Sequence, residues 1–308
     1  MHKTAFLFPG QGSQCPGMGQ DFYENSPLAA ELYDRAGEIL GLDMKKLCFE
    51  KKDFLDHTAY TQAALVTTCL AMTRVLTAEG IKADITAGLS LGEYAAIAVA
   101  GGCSEEEAIR LVRKRGILMQ NAVPEGFGAM CAVLALDEKV IEKVLSSMDG
   151  VTIANYNCPG QIVITGQKEA VEEAAVKLKE AGARRTMMLN VDGPFHSPFL
   201  KEASNELKKE LESVKFTPLT IPYVTNVTAE EVTDIQETVP LLCQQIYSPV
   251  RFMQSLSHML ESGVDLFVEI GPGRTLSGFL KKIDRQANVI NVSSFADVQK
   301  VKEAYHVG

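Results

Sequence analysis

Residues 84–96 (DITAGLSLGEYAA) constrain the fold more than any other stretch of the sequence. A short run rich in β-branched residues enters residues 88–92 (GLSLG), and a helix-forming run leaves them. Two glycines at this spacing permit a tight strand-to-helix turn that presents Ser90 at its tip, the pattern of a nucleophile elbow. A glycine-bounded turn with an incidental serine explains the same residues, so the reactive serine is a hypothesis at this point.

Composition excludes several classes of protein. A chain of 308 residues can bury a large core. The net charge of −9 argues against nucleic acid as the main partner, because phosphate binding needs a basic surface. The seven cysteines include no CxxC pair, which indicates reduced thiols. Apolar runs are too short for a signal peptide or a membrane span, so we expect a cytoplasmic protein without a membrane partner.

Two rhythms of secondary structure divide the chain. Most of it alternates short buried strands with amphipathic helices, which is typical of a parallel α/β sheet. Residues 125–194 instead follow the order βαββαβ, the split βαβ arrangement of a ferredoxin-like unit. The sequence therefore predicts an α/β fold in which a hydrolase-like domain with a parallel sheet, residues 1–124 and 195–308, carries an inserted ferredoxin-like subdomain.

Arg115 occupies an unusual position on a predicted helix. Ser104 and Glu107 form a capping box that sets the helix start. At 100° per residue Val112 and Met119 share one apolar face, and Arg115 lies within it. A buried guanidinium is costly unless it meets acceptors. An internal salt bridge would satisfy it, and so would a substrate carboxylate held by the arginine fork.

His196 is the best-placed candidate for a general base. It lies between two prolines at the predicted junction of the domains, where catalytic groups are often found. Asp192 is a possible partner for its imidazole, although an aspartate before Gly-Pro is also typical of a turn. The sequence shows no convincing third acid for a hydrolase-like triad.

The glycine-rich loop after the first predicted strand, residues 9–14 (PGQGSQ), matches neither nucleotide-binding fingerprint. Its remaining functional use is close approach of its backbone to a ligand. A plain strand-to-helix turn explains the loop equally well.

Taken together, the motifs resemble those of malonyl-CoA:acyl-carrier-protein transacylases over essentially the whole chain. They occur in the same order as in that family, namely FPGQGSQ at 8–14, GLSLGE at 88–93, RGILMQ at 115–120, NYNCPGQ at 155–161, GPFH at 193–196, QIYSPV at 245–250 and EIGPG at 269–273.

The resemblance implies a role for each candidate residue. Ser90 would be acylated, and His196 would be its base, held by the backbone carbonyl of Gln245 in place of an acid. Backbone N–H groups of Gln11 and Leu91 would form the oxyanion hole, and Arg115 would hold the free carboxylate of a malonyl group. Met119 and Phe195 would line the acyl pocket, the phenylalanine being typical of malonyl-selective members.

The resemblance also implies partners. Malonyl-CoA would be the substrate, with no permanently bound cofactor, and acyl-carrier protein and coenzyme A would be the partners of an expected monomer. One position departs from the family, because most members carry histidine where this chain has Leu89. That histidine is not the base, so we expect the chemistry to survive.

Three alternatives stay open. A serine hydrolase would use the same elbow but has no need of a buried arginine. A carrier-binding module without catalytic activity would not need an intact serine, histidine and arginine. A discrete enzyme that loads extender units for polyketide synthesis would carry the same motifs as a fatty-acid enzyme.

Overall fold

The computed structural model describes residues 2–50, 52–191 and 193–306. The strands in chain order are β1 Thr4–Phe8, β2 Ile85–Gly88, β3 Gly128–Leu134, β4 Val151–Cys158, β5 Gln161–Gln167, β6 Arg185–Met188, β7 Tyr223–Val224, β8 Glu231–Val232, β9 Leu266–Ile270 and β10 Val289–Val292.

The α-helices are α1 Gln20–Asn25, α2 Pro27–Leu40, α3 Lys52–Leu55, α4 Thr58–Ala78, α5 Gly92–Val99, α6 Glu105–Gln120, α7 Glu138–Leu145, α8 Lys168–Glu180, α9 Lys201–Glu212, α10 Thr238–Gln245, α11 Phe252–Glu261, α12 Thr275–Ile283 and α13 Asp297–His306. A π-helical turn spans Lys46–Glu50, and 3₁₀ turns span Pro198–Leu200 and Ile235–Glu237.

A six-stranded sheet in the order β10-β9-β1-β2-β7-β8 forms the larger layer. Its first five strands are parallel, and only β8 runs antiparallel to its neighbour β7. Every residue of β1, β2 and β9 is buried, as expected for central strands of a parallel sheet covered on both faces. The carboxyl ends of β1 and β2 place the glycine-rich loop beside the serine turn.

Helix α6 begins where its cap predicts. Ser104 Oγ accepts a hydrogen bond from the backbone N–H of Glu107 at 3.2 Å, which satisfies one of the free donors of the first turn. The Glu107 carboxylate pairs with Arg110, one turn along the same helix. The helix packs against α4, which is buried around almost its whole circumference.

A second sheet, β4-β5-β3-β6, is antiparallel throughout. Helices α7 and α8 pack on it through a separate apolar cluster that includes Ile141, Val171 and Leu178. Backbone hydrogen bonds from Tyr156 N to Val250 O, 2.9 Å, and from Val250 N to Ala154 O, 2.8 Å, join its edge to the larger layer.

The prediction of an α/β fold with a parallel sheet is confirmed, together with a second sheet over the predicted stretch. Four elements were not predicted from the sequence, and they are short or lie near the end of the chain: α1, α3, α13 and the two-residue strand β8. Within the described residues, none of the helices combines the length and the apolar character that crossing a bilayer requires.

Candidate active site

The turn between β2 and α5 is strained in the manner of a nucleophile elbow. Ser90 has φ of 54°, in the left-handed region that non-glycine residues rarely adopt. A Cβ at Gly88 would overlap the main chain of Gly92, and one at Gly92 would overlap the carbonyl oxygen of Phe8. Both glycines are therefore required by close approach of the backbone.

Asn226 holds this turn in place from the end of β7. Its Oδ1 accepts from the backbone N–H of Ser90 at 2.7 Å, and its Nδ2 donates to the carbonyl of Gly88 at 2.7 Å. The side chain is completely buried. These two hydrogen bonds, one to the N–H of the strained residue and one to the carbonyl two residues before it, offset part of the cost of its backbone conformation.

His196 lies between Ser90 and the end of α10. Its Nε2 is 2.7 Å from Ser90 Oγ, and its Nδ1 is 2.8 Å from the carbonyl oxygen of Gln245. A carbonyl only accepts, so Nδ1 carries the proton and Nε2 is free to take one from the serine. Asp192, the other candidate to orient the imidazole, lies outside the described residues.

Electrostatics keep this imidazole neutral. Burial, together with the charge of Arg115, lowers the pKa of His196 to about 3. Hydrogen bonds to backbone carbonyls act in the opposite direction but are outweighed. A neutral base is therefore present across the physiological range of pH.

Arg115 is 1% exposed and points at the same serine. Its Nη2 donates to Ser90 Oγ and to Gln245 Oε1, each at 2.9 Å, and its Nη1 donates to Gln62 Oε1 at 2.8 Å. Within the described part of the chain it forms no ion pair, so an internal salt bridge is not what holds it. Its hydrogen-bond partners are neutral amide and hydroxyl oxygens, so no anion among the described residues contacts its positive charge.

The glycine-rich loop packs against the elbow. Leu89 N donates to Phe8 O at 2.9 Å, and a Cβ at Gly10 would lie 2.8 Å from the carbonyl oxygen of Leu89. Among the described residues, the backbone N–H groups of Gln11 and Leu91 have no hydrogen-bond partner. The two expected oxyanion donors thus stay available on the two loops that meet at Ser90.

Met119 and Phe195 are both buried. Met119 follows Arg115 by four residues on α6, and its sulfur lies 3.6 Å from the Nε2 of Gln62. Phe195 immediately precedes His196 in the loop after the second sheet. The structure therefore brings Met119 to the glutamine that holds Arg115, and it buries Phe195 in the same apolar cluster as Met119.

Comparison with known proteins agrees with this geometry. A family model described as an acyl transferase domain matches residues 5–307. A malonyl CoA-acyl carrier protein transacylase of Bacillus subtilis (strain 168) is 45% identical over 298 residues, which cover 95% of this chain and 94% of that protein. The chain belongs to the malonyl CoA-acyl carrier protein transacylase family.

Solved structures of relatives share the fold. The enzyme called MCAT from Streptococcus pneumoniae superposes with a TM-score of 0.92 at 43% identity, covering 98% of this chain and 100% of that one. A malonyl-transacylase in complex with a type II PKS acyl-carrier protein gives a TM-score of 0.94 at 37% identity, with coverage of 98% and 99%.

Three polar residues of the site were not singled out by the sequence analysis. Gln62 lies on the buried helix α4, Asn226 follows a two-residue strand, and Glu93 lies in the first turn of α5. Glu93 ends one of the family motifs, and Gln62 is an amide in a run of apolar residues and threonines. These two features could have drawn attention to Glu93 and Gln62, but neither feature indicates which residue the side chain would contact.

Another buried carboxylate, Glu269, belongs to the framework and not to the site. Its oxygens accept from the backbone N–H groups of Leu276 and Ser277 at 3.0 and 2.8 Å, and from Asn291 Nδ2 at 2.7 Å. It therefore caps α12 and ties it to β10. The EIGPG motif thus contributes to the fold at this position.

Proposed function

We propose that the protein transfers a malonyl group from malonyl-CoA to the phosphopantetheine thiol of an acyl-carrier protein, through an ester on Ser90. The observation that carries the proposal is the contact of Arg115 Nη2 with Ser90 Oγ at 2.9 Å. A buried cation beside the nucleophile suits an acyl group whose own carboxylate is only two carbon atoms from the thioester carbonyl. A general serine hydrolase has no use for such a cation.

The first half-reaction acylates the enzyme. His196 Nε2 takes the proton of Ser90 as Oγ attacks the thioester carbonyl. The N–H groups of Gln11 and Leu91 donate to the resulting oxyanion. The C–S bond then breaks, coenzyme A leaves with the proton from His196, and the malonyl ester remains on the serine.

The second half-reaction runs the same steps in reverse. The phosphopantetheine thiol gives its proton to His196 and attacks the ester carbonyl. The C–O bond breaks, and Ser90 recovers its proton from the imidazolium. Because both acyl carriers use one site in turn, the kinetics are ping-pong. These side chains and backbone groups complete the reaction, so we propose no permanently bound cofactor.

The acyl pocket follows from the same contacts. We assign the malonyl carboxylate to Arg115 and the walls of the pocket to Met119 and Phe195. Gln62 and Gln245 hold the guanidinium from two sides, through hydrogen bonds of 2.8 and 2.9 Å. A fixed fork favours bidentate binding of a carboxylate over a neutral acyl end.

We also propose the finer organisation of the molecule. The order β4-β5-β3-β6, with one helix in each crossover, supports a ferredoxin-like subdomain at 125–194. The elbow after β2 of a parallel sheet supports a hydrolase-like domain of residues 1–124 and 195–308. We propose a monomer, and the free thiols of all seven cysteines support a cytoplasmic location.

The test is incubation with radiolabelled malonyl-CoA, followed by intact-mass measurement and then addition of a carrier protein that bears phosphopantetheine. We expect a malonyl adduct on the wild type, its transfer to the carrier, and no adduct on Ser90→Ala. Release of free malonate without transfer would identify a hydrolase, and absence of an adduct would leave only carrier binding. Comparing fatty-acid and type II polyketide carriers by kcat/KM separates the two pathways.

A further inference from the structure

One carboxylate oxygen connects the groups around Ser90. Glu93, which has no exposed surface, accepts at Oε2 from Gln245 Nε2 at 2.7 Å and from the backbone N–H of Asn226 at 3.0 Å. Asn226 in turn holds the backbone N–H of Ser90 and the carbonyl of Gly88. Glu93 is therefore connected to Ser90 through one intervening residue, Asn226.

Gln245 links Glu93 to the other two reactive groups. Its main-chain oxygen meets His196 Nδ1 at 2.8 Å, its Oε1 accepts from Arg115 at 2.9 Å, and its Nε2 also donates to the carbonyl of Ser90 at 3.0 Å. A side-chain amide has one accepting and one donating end. A carboxylate that only accepts and a guanidinium that only donates together fix which end faces which neighbour.

We propose that Glu93 is a positioning residue for acyl transfer, whose negative charge fixes the amide of Gln245 and thereby the placement of His196, Arg115 and the serine turn. The role in transfer rests on the proposed function, but the effect on Ser90 reactivity does not. Its neutral, protonated form is a weaker acceptor and can itself donate, so it holds the donating end of the amide less firmly.

The surroundings make this charge titratable near neutrality. Burial raises the pKa of Glu93 to about 7, opposed by hydrogen bonds from Gln245, Asn226 and Thr225 and by the charge of Arg115 on α6. The other titratable groups that face it are Tyr94 on its own helix and Tyr223 on β7. Both phenols have pKa values raised further above their usual range and stay neutral at pH 7.

These charges predict a pH dependence that His196 does not supply. Burial holds the pKa of His196 near 3, far below the window in which Glu93 titrates. The reactivity of Ser90 is therefore expected to rise with pH through a midpoint near 7 as Glu93 ionises. Removing the charge of Glu93 is expected to remove this rise in reactivity near pH 7, which forms one limb of the pH profile.

The test compares Glu93→Gln with wild type between pH 5.5 and 8.5. The first readout is the rate at which phenylmethanesulfonyl fluoride modifies Ser90, and the second is malonyl transfer to a carrier protein. Glu269→Gln is the matched control, because Glu269 is equally buried but contacts none of these groups. Thermal unfolding and circular dichroism establish that each variant is folded.

We expect Glu93→Gln to react about tenfold more slowly at pH 8, as for the loss of a charge-assisted hydrogen bond, and without the limb near pH 7. Glu269→Gln keeps the rate and the limb. A wild type without the limb, a Glu93→Gln that retains it, or the same loss in Glu269→Gln would overturn the proposal.

A shorter carboxylate guards against misfolding of the glutamine variant. Glu93→Asp keeps the charge but withdraws it by one methylene, so we expect a slower reaction that still shows a titration. A wild-type rate in Glu93→Asp would overturn the proposal. If wild type shows the limb in sulfonylation but transfers no malonyl group, the proposed function fails and the role of Glu93 stands.

Discussion

The guanidinium of Arg115 donates to the hydroxyl of Ser90 at 2.9 Å, and the same hydroxyl lies 2.7 Å from Nε2 of the imidazole of His196. The hydroxyl oxygen thus lies between a buried cation and a neutral base. The base can receive the proton, and the cation favours the negative charge that develops on the oxygen. Under the proposed function, the same cation would donate to the carboxylate of the substrate once the oxygen has become an ester.

Replacing Arg115 by alanine is expected to reduce the preference for malonyl-CoA over acetyl-CoA about 10- to 100-fold, since it removes a charge-assisted pair worth about 1.5–3 kcal/mol. The ratio of the two kcat/KM values measures this effect. Arg115→Lys keeps the positive charge but lacks the planar fork of the guanidinium. Its preference for malonyl-CoA should therefore lie between those of wild type and the alanine variant. An unchanged preference in the alanine variant would contradict the assignment of the arginine to the substrate carboxylate.

The protonation of His196 predicts how stability depends on pH. Burial lowers the pKa of His196 to about 3 in the folded protein, below its ordinary value of 6.5, so the unfolded chain binds more protons between these limits. The free energy of unfolding therefore falls as pH falls through this window, by up to about 1.4 kcal/mol per pH unit. His196→Asn lacks this dependence.

Urea unfolding at pH 7, 6 and 5 measures the effect as the difference between wild type and His196→Asn. Glu93 has the opposite sign, because its raised pKa contributes stability that is lost as pH rises through about 7. Glu93 is present in both proteins, so its contribution to the free energy of unfolding cancels in the difference between them. A difference that stays constant from pH 7 to 5 would show that the imidazole is not held neutral by the fold.

Asn226→Ala is expected to affect both stability and rate, because it removes the two hydrogen bonds that hold the turn at the strained Ser90. We expect a loss of about 2–3 kcal/mol in the free energy of unfolding and a fall of at least about tenfold in kcat. Asn291→Ala is the control, since Asn291 bonds to Glu269, which caps α12, and to Ser277 in the first turn of that helix. It should lose stability with kcat unchanged, whereas equal losses of kcat would indicate a general effect of destabilisation.

Local patterns in the sequence predicted those parts of the site that depend on periodicity or turn chemistry. The burial of Arg115 followed from the 3.6-residue repeat of α6, and the position of Ser90 at the tip of its turn followed from its two glycines. Asn226 could not be found this way. It follows a strand of two residues, and its partners Gly88 and Ser90 are more than 130 positions away in the chain.

The same limit applies to the orientation of His196. A carboxylate partner can be sought in a sequence by residue type, whereas a backbone carbonyl is present at every position. The contribution of Gln245 was therefore accessible only from the resemblance to a family. The edge contact between Val250 and the residues around Tyr156 likewise joins segments that are far apart in the chain. The local periodicity of the sequence therefore could not predict it.

Gly88 and Gly92 make the elbow possible, because each lies in close contact with the backbone of a neighbouring segment. Gly88→Ala places a Cβ against the carbonyl group of Gly92, so either the strand end or the start of α5 must move. Because both are held in the core, we expect a loss of about 3 kcal/mol or more in the free energy of unfolding, together with loss of activity. Gly278→Ala provides the control, because nothing lies within 4 Å of the Cβ it would add to α12.

The control should be neutral or gain up to about 1 kcal/mol from the higher helix propensity of alanine. Denaturant unfolding of the two variants therefore separates close approach of the backbone from a general intolerance of added volume. If Gly88→Ala retained wild-type stability, the turn would have room to relax. The left-handed conformation of Ser90 would then not be enforced by its neighbours.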